Sequence, residues 1–165
     1  MKRTPLLIEG VKPGIPSPHS SKSHYLAIEL SHGSKNALRQ HFPSNYKMRT
    51  ADHVTLSYTP SQEELDRLHN TPEHERTVNF HATHHVNDEE QGIHAVRIAG
   101  VDHLTDKAHP HITISHAPHA KPVQSNELLA QQQGDRIAVP RKVKGKTKRG
   151  HLPLTGTIKA LPKFR

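Results

Sequence analysis

Residues 109–115 read His109-Pro110-His111-Ile112-Thr113-Ile114-Ser115, a stretch in which polar and apolar residues alternate after the proline. Alternation with a period of two predicts a half-buried β-strand, because successive side chains of a strand point to opposite faces. The stretch Asp52-His53-Val54-Thr55-Leu56 has the same construction 58 positions earlier. In each stretch a histidine and a threonine share one face, and apolar neighbours bury the other. We therefore expect two strands that are built alike.

Patterns around these two strands predict further strands and helices. Ser61-Gln62-Glu63-Glu64 is typical of a capping box at the start of a helix, here one that runs to about His69. The polar segment at 87–92 separates two strand-like runs and predicts a hairpin. The other expected elements are strands at 24–31, 53–58, 77–86, 94–98, 111–115 and 152–161, and helices that begin at Ser34 and Ser125 with those serines as N-caps. Together they predict an α+β fold.

The length of 165 residues predicts one domain, since a chain of this size leaves little room for a second core. Residues 9–24 are rich in Pro, Gly, Ser and Lys, which are typical of connectors and turns. We therefore expect a flexible N-terminal segment at 1–23 and a single domain at 24–165. Hydrophobic residues make up only 32% of the chain and aromatic residues 4%, which predicts a thin core.

Positive charge is in excess, with a formal net charge of +8 when the histidines are neutral. An excess of this sign suits a polyanionic partner such as nucleic acid or a nucleotide, although it also serves solubility alone. Part of it lies in the basic run from Arg141 to Arg149. Two interpretations of this run stay open: contact with a nucleic-acid backbone, or a solvated flexible loop.

The chain contains no cysteine, which excludes disulfides, thiolate metal sites and cysteine nucleophiles. The apolar stretch near the N-terminus is too short for a secretory signal, and no later segment approaches the length that spans a membrane. We expect a soluble, cytoplasmic protein without a membrane partner.

Histidine is unusually abundant, at 17 of 165 residues, and its near-neutral pKa makes it the usual general acid or base at physiological pH. Five His-x-Thr triplets occur, and they begin at His53, His69, His81, His103 and His111. Only the triplets at His53 and His111 combine a strand-like run with apolar residues between and after the pair. These two are the candidates for a functional role.

The two stretches resemble the motifs of the 2H phosphoesterase superfamily, in particular the cyclic phosphodiesterase domain of fungal and plant tRNA ligases. The segments Pro122-Val123-Gln124-Ser125-Asn126-Glu127-Leu128-Leu129 and Leu154-Thr155-Gly156-Thr157 are similar to that branch as well. Stand-alone phage enzymes that cleave cyclic nucleotides are also similar in size and motif arrangement. The resemblance spans roughly residues 24–161. It implies a bilobal fold in which two antiparallel sheets with flanking helices form a central cleft that carries both His-x-Thr motifs.

The chemistry follows from the residue types. Hydrolysis of a phosphodiester needs a base that activates the attacking water and an acid that protonates the leaving oxygen, and two histidines supply both. The catalytic candidates are therefore His53 and His111, with Thr55 and Thr113 as donors to the phosphate oxygens. This mechanism needs no metal and no cofactor. The sequence leaves open which histidine is the acid, and whether the substrate is an RNA end with a 2′,3′-cyclic phosphate or a cyclic (oligo)nucleotide.

Three further residues are candidates for substrate binding. Ser115 and Ser125 offer phosphate contacts, although Ser115 also fits an ordinary strand end and Ser125 a helix cap. Tyr25 is a candidate for stacking on a base, with Tyr58 as the other choice, although a strand aromatic also fits the core.

Two rival classes of function remain. The basic charge and the run from Arg141 to Arg149 also fit a non-catalytic RNA-binding module. The clustered His81, His84 and His85 suggest a metal-binding protein, but carboxylate or cysteine partners at a recognised spacing are missing from the sequence around them. We expect an enzyme that acts as a monomer on RNA or a cyclic nucleotide and binds no metal.

Overall fold

The fold is described from a computed structural model. The structure describes the backbone of residues 23–43, 45–137, 139–143 and 146–163. It describes side chains for residues 23–43, 45–137 and 151–163. The expected flexible segment at 1–23 lies almost wholly outside the described residues. The described helices are α1 (His32–His41), α2 (Gln62–Asn70) and α3 (Gln124–Gln131), with a 3-10 turn at Glu73–Arg76. The strands are β1 (His24–Leu30), β2 (Met48–Arg49), β3 (His53–Ser57), β4 (Thr77–Asp88), β5 (Ile93–Ala99), β6 (His111–His116), β7 (Asp135–Arg136), β8 (Val139–Val143), β9 (Lys146–Gly150) and β10 (Leu152–Pro162).

Eight of the strands form one sheet, in the order β2-β6-β5-β4-β10-β1-β3, with β7 paired to β4. All the described pairings are antiparallel. The two end strands, β2 and β3, are separated in sequence by the three residues Thr50 to Asp52. Such a link spans at most about 14 Å, whereas a flat sheet with this order would place its ends about 29 Å apart. The sheet therefore curls until its ends meet.

Hydrogen bonds tie the link between β2 and β3 to strands near both ends of the sheet. The Thr50 N–H donates to the Ile114 carbonyl at 3.1 Å, and the Thr50 hydroxyl donates to the Thr113 carbonyl at 2.9 Å. On the other side of the link, the Leu30 N–H donates to the Asp52 carbonyl at 2.9 Å. The seam between β3 and β6 is thus held by the chain that enters β3.

The larger hydrophobic core fills one face of the sheet. Val54 and Leu56 of β3 and Ile112 and Ile114 of β6 belong to it, as the alternation predicts. Helices α1 and α2 cover this face through Leu38, Leu65 and Leu68. A smaller cluster lies under α3 and contains Val86, Ile93, Ala95, Ala120, Leu128 and Leu129.

The helices agree with the sequence prediction in position but not in every cap. The capping box of α2 is confirmed, because the Ser61 hydroxyl accepts from the Glu64 N–H and the Glu64 carboxylate accepts from the Ser61 N–H. The predicted caps Ser34 and Ser125 are wrong. Helix α1 starts two residues earlier and is capped by Ser31, and the N-cap position of α3 is Val123.

The α+β class, the antiparallel pairing and the β4–β5 hairpin are as predicted. The expected two sheets differ from what is observed, because the main strands form one continuous curled sheet. The basic run from Arg141 to Arg149, for which a flexible loop was one interpretation, contributes to a separate antiparallel ribbon of β8 and β9.

Gly156 permits the close pairing of β1 and β10. A Cβ at this position would lie 2.6 Å from the Glu29 carbonyl oxygen and 2.6 Å from Ile28 Cγ2. We expect Gly156→Ala to lower the free energy of unfolding by about 1–3 kcal/mol, because the two strands would have to separate. Urea unfolding measures this. Gly33→Ala is the control, since nothing lies within 4 Å of that Cβ, and we expect no loss. Equal stability of Gly156→Ala and the unsubstituted protein would contradict the account.

His94 makes the fold sensitive to acid. Burial, with a smaller contribution from the charge of His85, lowers the pKa of His94 from 6.5 to about 4. Between these two pKa values, His94 binds a proton in the unfolded chain but not in the folded chain. The contribution of neutral His94 to the free energy of unfolding is therefore fully present above pH 6.5 and is lost as the pH falls towards 4. The loss amounts to about 3 kcal/mol at full protonation. Urea unfolding across this range should show a shallower pH dependence in His94→Leu than in the unsubstituted protein. The same substitution at the exposed His74 should leave the slope unchanged, and an unchanged slope in His94→Leu would contradict the assignment.

Candidate active site at the strand seam

Strands β3 and β6 present their polar residues on the side away from the larger core. His53 and Thr55 are half-buried positions that alternate with the buried Val54 and Leu56 of β3. His111 and Thr113 alternate in the same way with Ile112 and Ile114. Because the seam brings the two strands together, the four predicted catalytic residues lie in one region. The positive charge of His53 acts on His111, which is consistent with their proximity.

His53 is held between an acid and a phenol. Its Nδ1 lies 2.6 Å from Asp52 Oδ1, and its Nε2 lies 3.4 Å from the Tyr25 hydroxyl. A proton on Nδ1 satisfies the carboxylate, which leaves Nε2 as the ring nitrogen that can exchange a proton with a ligand. The side chain of His53 is 24% exposed, so a ligand can reach it.

His111 is oriented by the backbone and is half-buried. Its Nδ1 lies 2.9 Å from the His109 carbonyl oxygen, so Nδ1 donates and Nε2 carries the lone pair of the neutral ring. Burial lowers the pKa of His111, and the charges of Lys107, His53 and His109 lower it further, against an opposing effect of the hydrogen bond to the His109 carbonyl. His111 is therefore neutral at pH 7 and equipped to accept a proton at Nε2.

Arg97 fixes the segment that orients His111. Its guanidinium donates to the carbonyls of Leu129, Gln132 (2.6 Å) and Gln133 (3.0 Å) at the C-terminal end of α3. It also lies 3.1 Å from His109 Nδ1. Because arginine has no acceptor, His109 Nδ1 accepts, and the neutral His109 ring carries its proton on Nε2. Arg97 thus joins α3 to the residue whose carbonyl holds His111.

Thr113 is positioned from two sides. Its Oγ1 lies 3.0 Å from the Ser125 hydroxyl, and its carbonyl accepts from Thr50. Ser125 is fully buried in α3, so it supports Thr113 and does not face the open side of the seam. Its predicted contact with substrate stays a prediction, and the geometry favours an indirect role through Thr113.

Ser115 lies apart from the two catalytic candidates of its strand. The pairing of β5 with β6 shifts register between Ala95↔Thr113 and His94↔Ser115. Paired residues share a face, and His94 packs against Phe42 of the larger core. The shift therefore turns Ser115 towards that core. It is fully buried, so the predicted phosphate contact of Ser115 finds no support in its position.

Two tyrosines lie beside His53. The ring of Tyr25 is buried and stacks at 5.8 Å on Tyr58, which is 55% exposed. The ammonium of Lys163 lies 4.6 Å from the centre of the Tyr58 ring. Tyr25, the predicted stacking residue, instead contacts the catalytic candidate through its hydroxyl. Of the two, Tyr58 is the ring that a base could reach.

A cavity of about 460 Å³ opens at the end of β3. Its lining includes Ser57, Tyr58, Thr105 and Lys107. The Thr105 hydroxyl donates to the Leu56 carbonyl at 2.6 Å, which fixes the loop against β3. Neither His53 nor His111 lines this cavity. The pairing of β3 with β1 shifts register between Ala27↔Thr55 and Leu26↔Ser57, so the cavity lies at the end of β3, beyond the regular face that carries His53 and Thr55.

The remaining histidine triplets show other placements. His69 lies in the last turn of α2, His103 lies in the loop between β5 and β6, and His81 lies within β4 with its ring stacked on His151 at 4.6 Å.

Within the described residues no group of three or more His, Asp or Glu is arranged to hold a metal ion. None of the described helices has the length and apolar character that a bilayer span requires.

Asp52 and His109 are functional candidates that the sequence reasoning did not assign. Asp52 directly precedes His53, so adjacency was an available signal. His109 acts through its carbonyl, which accepts from His111, and through its ring, which contacts Arg97 twelve residues away. A backbone contact of this kind is not predicted by any sequence pattern.

Comparisons with known proteins leave the family open. No protein-family model and no curated protein sequence matches this chain. A solved structure titled "Crystal Structure of Fungal RNA Kinase" is similar in fold, with a TM-score of 0.48 and 13% sequence identity. The similarity covers 82% of this chain and 41% of that chain. At this level of similarity the functional assignment has to come from the site itself.

The positive charge of Lys107 adds to the effect of burial in lowering the pKa of His111. Since the positive charge of Lys107 lowers the pKa of His111, we expect Lys107→Gln to raise that pKa. NMR titration of the His111 ring measures it in the folded protein. Lys121→Gln is the matched control, because Lys121 is exposed and its charge does not contribute to the pKa shift of His111. It should leave the titration unchanged. A His111 pKa that stays constant or falls in Lys107→Gln would contradict the assignment.

Proposed function

We propose that this protein is a metal-independent phosphodiesterase that hydrolyses a cyclic phosphate at an RNA end or a phosphodiester of a cyclic nucleotide. The observation that carries the proposal is the pairing of two strand-borne histidines at one seam, each with its Nδ1 engaged by an oxygen acceptor. This arrangement leaves both Nε2 atoms for proton transfer.

We assign the base to His111 and the acid to His53. His111 is neutral at pH 7 because burial lowers its pKa. Its Nε2 accepts a proton from water as the water oxygen bonds to phosphorus. The bond from phosphorus to the leaving oxygen breaks, and His53 gives that oxygen the proton of its Nε2. The Asp52 carboxylate, 2.6 Å from Nδ1, holds the His53 ring for this step.

The two threonines act on the phosphate oxygens. In the proposed complex Ser125 donates to Thr113 Oγ1, so the Thr113 proton is available for a non-bridging oxygen. Thr55 lies on the same face as His53 and supplies the second hydroxyl. The seam then serves as a central cleft between the two halves of the curled sheet, with one histidine and one threonine from each half.

A non-catalytic RNA-binding module is the second candidate. It is favoured by the net charge of +8 and by the basic sequence of the β8–β9 ribbon. Such a module would retain RNA without turnover and lose it steeply with salt.

Turnover separates the two candidates. The substrates are 2′,3′-cyclic nucleotides, an RNA that ends in a 2′,3′-cyclic phosphate, and cyclic di- and trinucleotides, all assayed in EDTA. We expect hydrolysis of at least one, and a fall of about 10²–10⁴-fold in His53→Ala and in His111→Ala, as for loss of a general acid or base.

The matched control is His69→Ala, which removes the histidine of another His-x-Thr triplet at the end of α2. It should retain full activity. Absence of turnover by the folded protein on every substrate would sink the phosphodiesterase assignment and favour the binding module.

A further inference from the structure

A second cavity, of about 360 Å³, lies next to the residue that orients His111. Side chains that line it include His84, Arg97, His109, Gln133, Arg136 and His151. Two of them are permanent cations and three are histidines, whereas the acidic residue in the lining is Asp102. This balance favours an anionic ligand. We call this space the basic cavity.

The register of the sheet places basic residues in a row that starts at the candidate active site. His111 of β6 pairs with Arg97 of β5, Arg97 pairs with His84 of β4, and His84 pairs with Arg136 of β7. Paired residues share a face, and neighbouring strands lie about 4.8 Å apart, so the four residues span about 14 Å. The row leads from the catalytic candidate into the basic cavity.

His109 connects the basic cavity to the reaction site. Its ring lines the cavity, and its carbonyl accepts from His111 Nδ1 at 2.9 Å. Because Arg97 donates to His109 Nδ1, the neutral ring presents Nε2–H as a donor. A ligand that occupies the cavity would therefore lie close to the catalytic histidine.

The permanent positive charges of this row are those of Arg97, which also donates to backbone carbonyls at the end of α3, and Arg136. In the part of the chain with described side chains, no carboxylate forms an ion pair within 4.0 Å with His84, Arg97 or Arg136. Burial lowers the pKa of His84, and the charges of Arg97, Arg136 and His151 lower it further. Positive charge without a carboxylate partner is stabilised when an anion binds.

The most basic segment of the chain begins and ends at the same cavity. Arg136 lies three residues before the start of the β8–β9 ribbon, and His151 directly follows its last residue. The Ile137 N–H anchors this exit point by donating to the Thr83 carbonyl at 2.8 Å. The ribbon sequence includes Arg141, Lys142, Lys146, Lys148 and Arg149.

We propose that the basic cavity binds a second phosphate of the substrate, and that the preferred substrate is an oligonucleotide with at least one phosphodiester besides the scissile one. This inference rests on the proposed phosphodiesterase function. A short RNA that ends in a 2′,3′-cyclic phosphate and a cyclic dinucleotide both supply a second phosphate, whereas a 2′,3′-cyclic mononucleotide does not.

The test compares kcat/KM for three substrates: 2′,3′-cyclic AMP, a diadenylate that ends in a 2′,3′-cyclic phosphate, and a cyclic dinucleotide. The variant is Arg136→Glu, which reverses an exposed charge at the far end of the row. Arg67→Glu on α2 makes the same change of charge at an exposed site away from the cavity and is the control. Arg136→Ala repeats the test with a milder change.

We expect Arg136→Glu to lower kcat/KM about tenfold for a substrate with a second phosphate and to leave the cyclic mononucleotide unaffected. The salt dependence of kcat/KM should weaken as well, by about 0.7 in logarithmic slope for each lost contact with a single strand. Whichever of the two larger substrates responds identifies the source of the second phosphate. Equal effects on all three substrates, or no effect in either Arg136 variant, would overturn the proposal.

Failure of the proposed function is a distinguishable result. If no substrate is hydrolysed, binding of a fluorescent trinucleotide is measured by anisotropy for the same variants. Weaker binding in Arg136→Glu than in Arg67→Glu would support the basic cavity as a nucleotide-phosphate site without catalysis. Equal binding in the two variants would overturn it.

Discussion

The link from Thr50 to Asp52 joins opposite ends of the eight-stranded sheet, and the site depends on that closure. Both ends of the link are bonded to the sheet, through Thr50 to β6 and through Asp52 to β1. Without the closure, β3 and β6 would be separated by the strands β5, β4, β10 and β1. With it, the two strands that carry His53 and His111, 58 positions apart in sequence, meet at one seam. The same short link also places the Asp52 carboxylate within hydrogen-bonding distance of His53.

The two histidines differ in their surroundings although their motifs are alike. Both histidines are half-buried, but the Nδ1 of His53 contacts a carboxylate, whereas the Nδ1 of His111 donates to a neutral carbonyl. Burial favours the neutral form of His111, and the Asp52 carboxylate holds the His53 ring through Nδ1. In the proposed mechanism the same motif serves as the acid in one strand and as the base in the other. The difference arises from the residues before each histidine and from the packing around it.

Local patterns in the sequence predicted much of the scaffold. Alternation identified β3 and β6, and the capping box identified α2, because these signals depend on neighbours within a few residues. Ser34 was mistaken for a cap because its hydroxyl accepts from the N–H of Thr155, 121 residues away. The curl of the sheet was missed because it depends on β2, whose two exposed residues carry no hydrophobic pattern. The role of Arg97 was not predicted either, because its contacts with the end of α3 join residues that lie far apart in the sequence.

The central claim is that two histidines at the seam transfer protons in one reaction. The most direct measurement is the pH dependence of kcat/KM for the best substrate. We predict a bell-shaped profile in which the acidic limb, which reports the base His111, lies below pH 6.5 because burial lowers the pKa of that residue. A profile that is flat from about pH 5 to 8 would contradict the claim, because the rate would then not depend on the ionisation of either histidine.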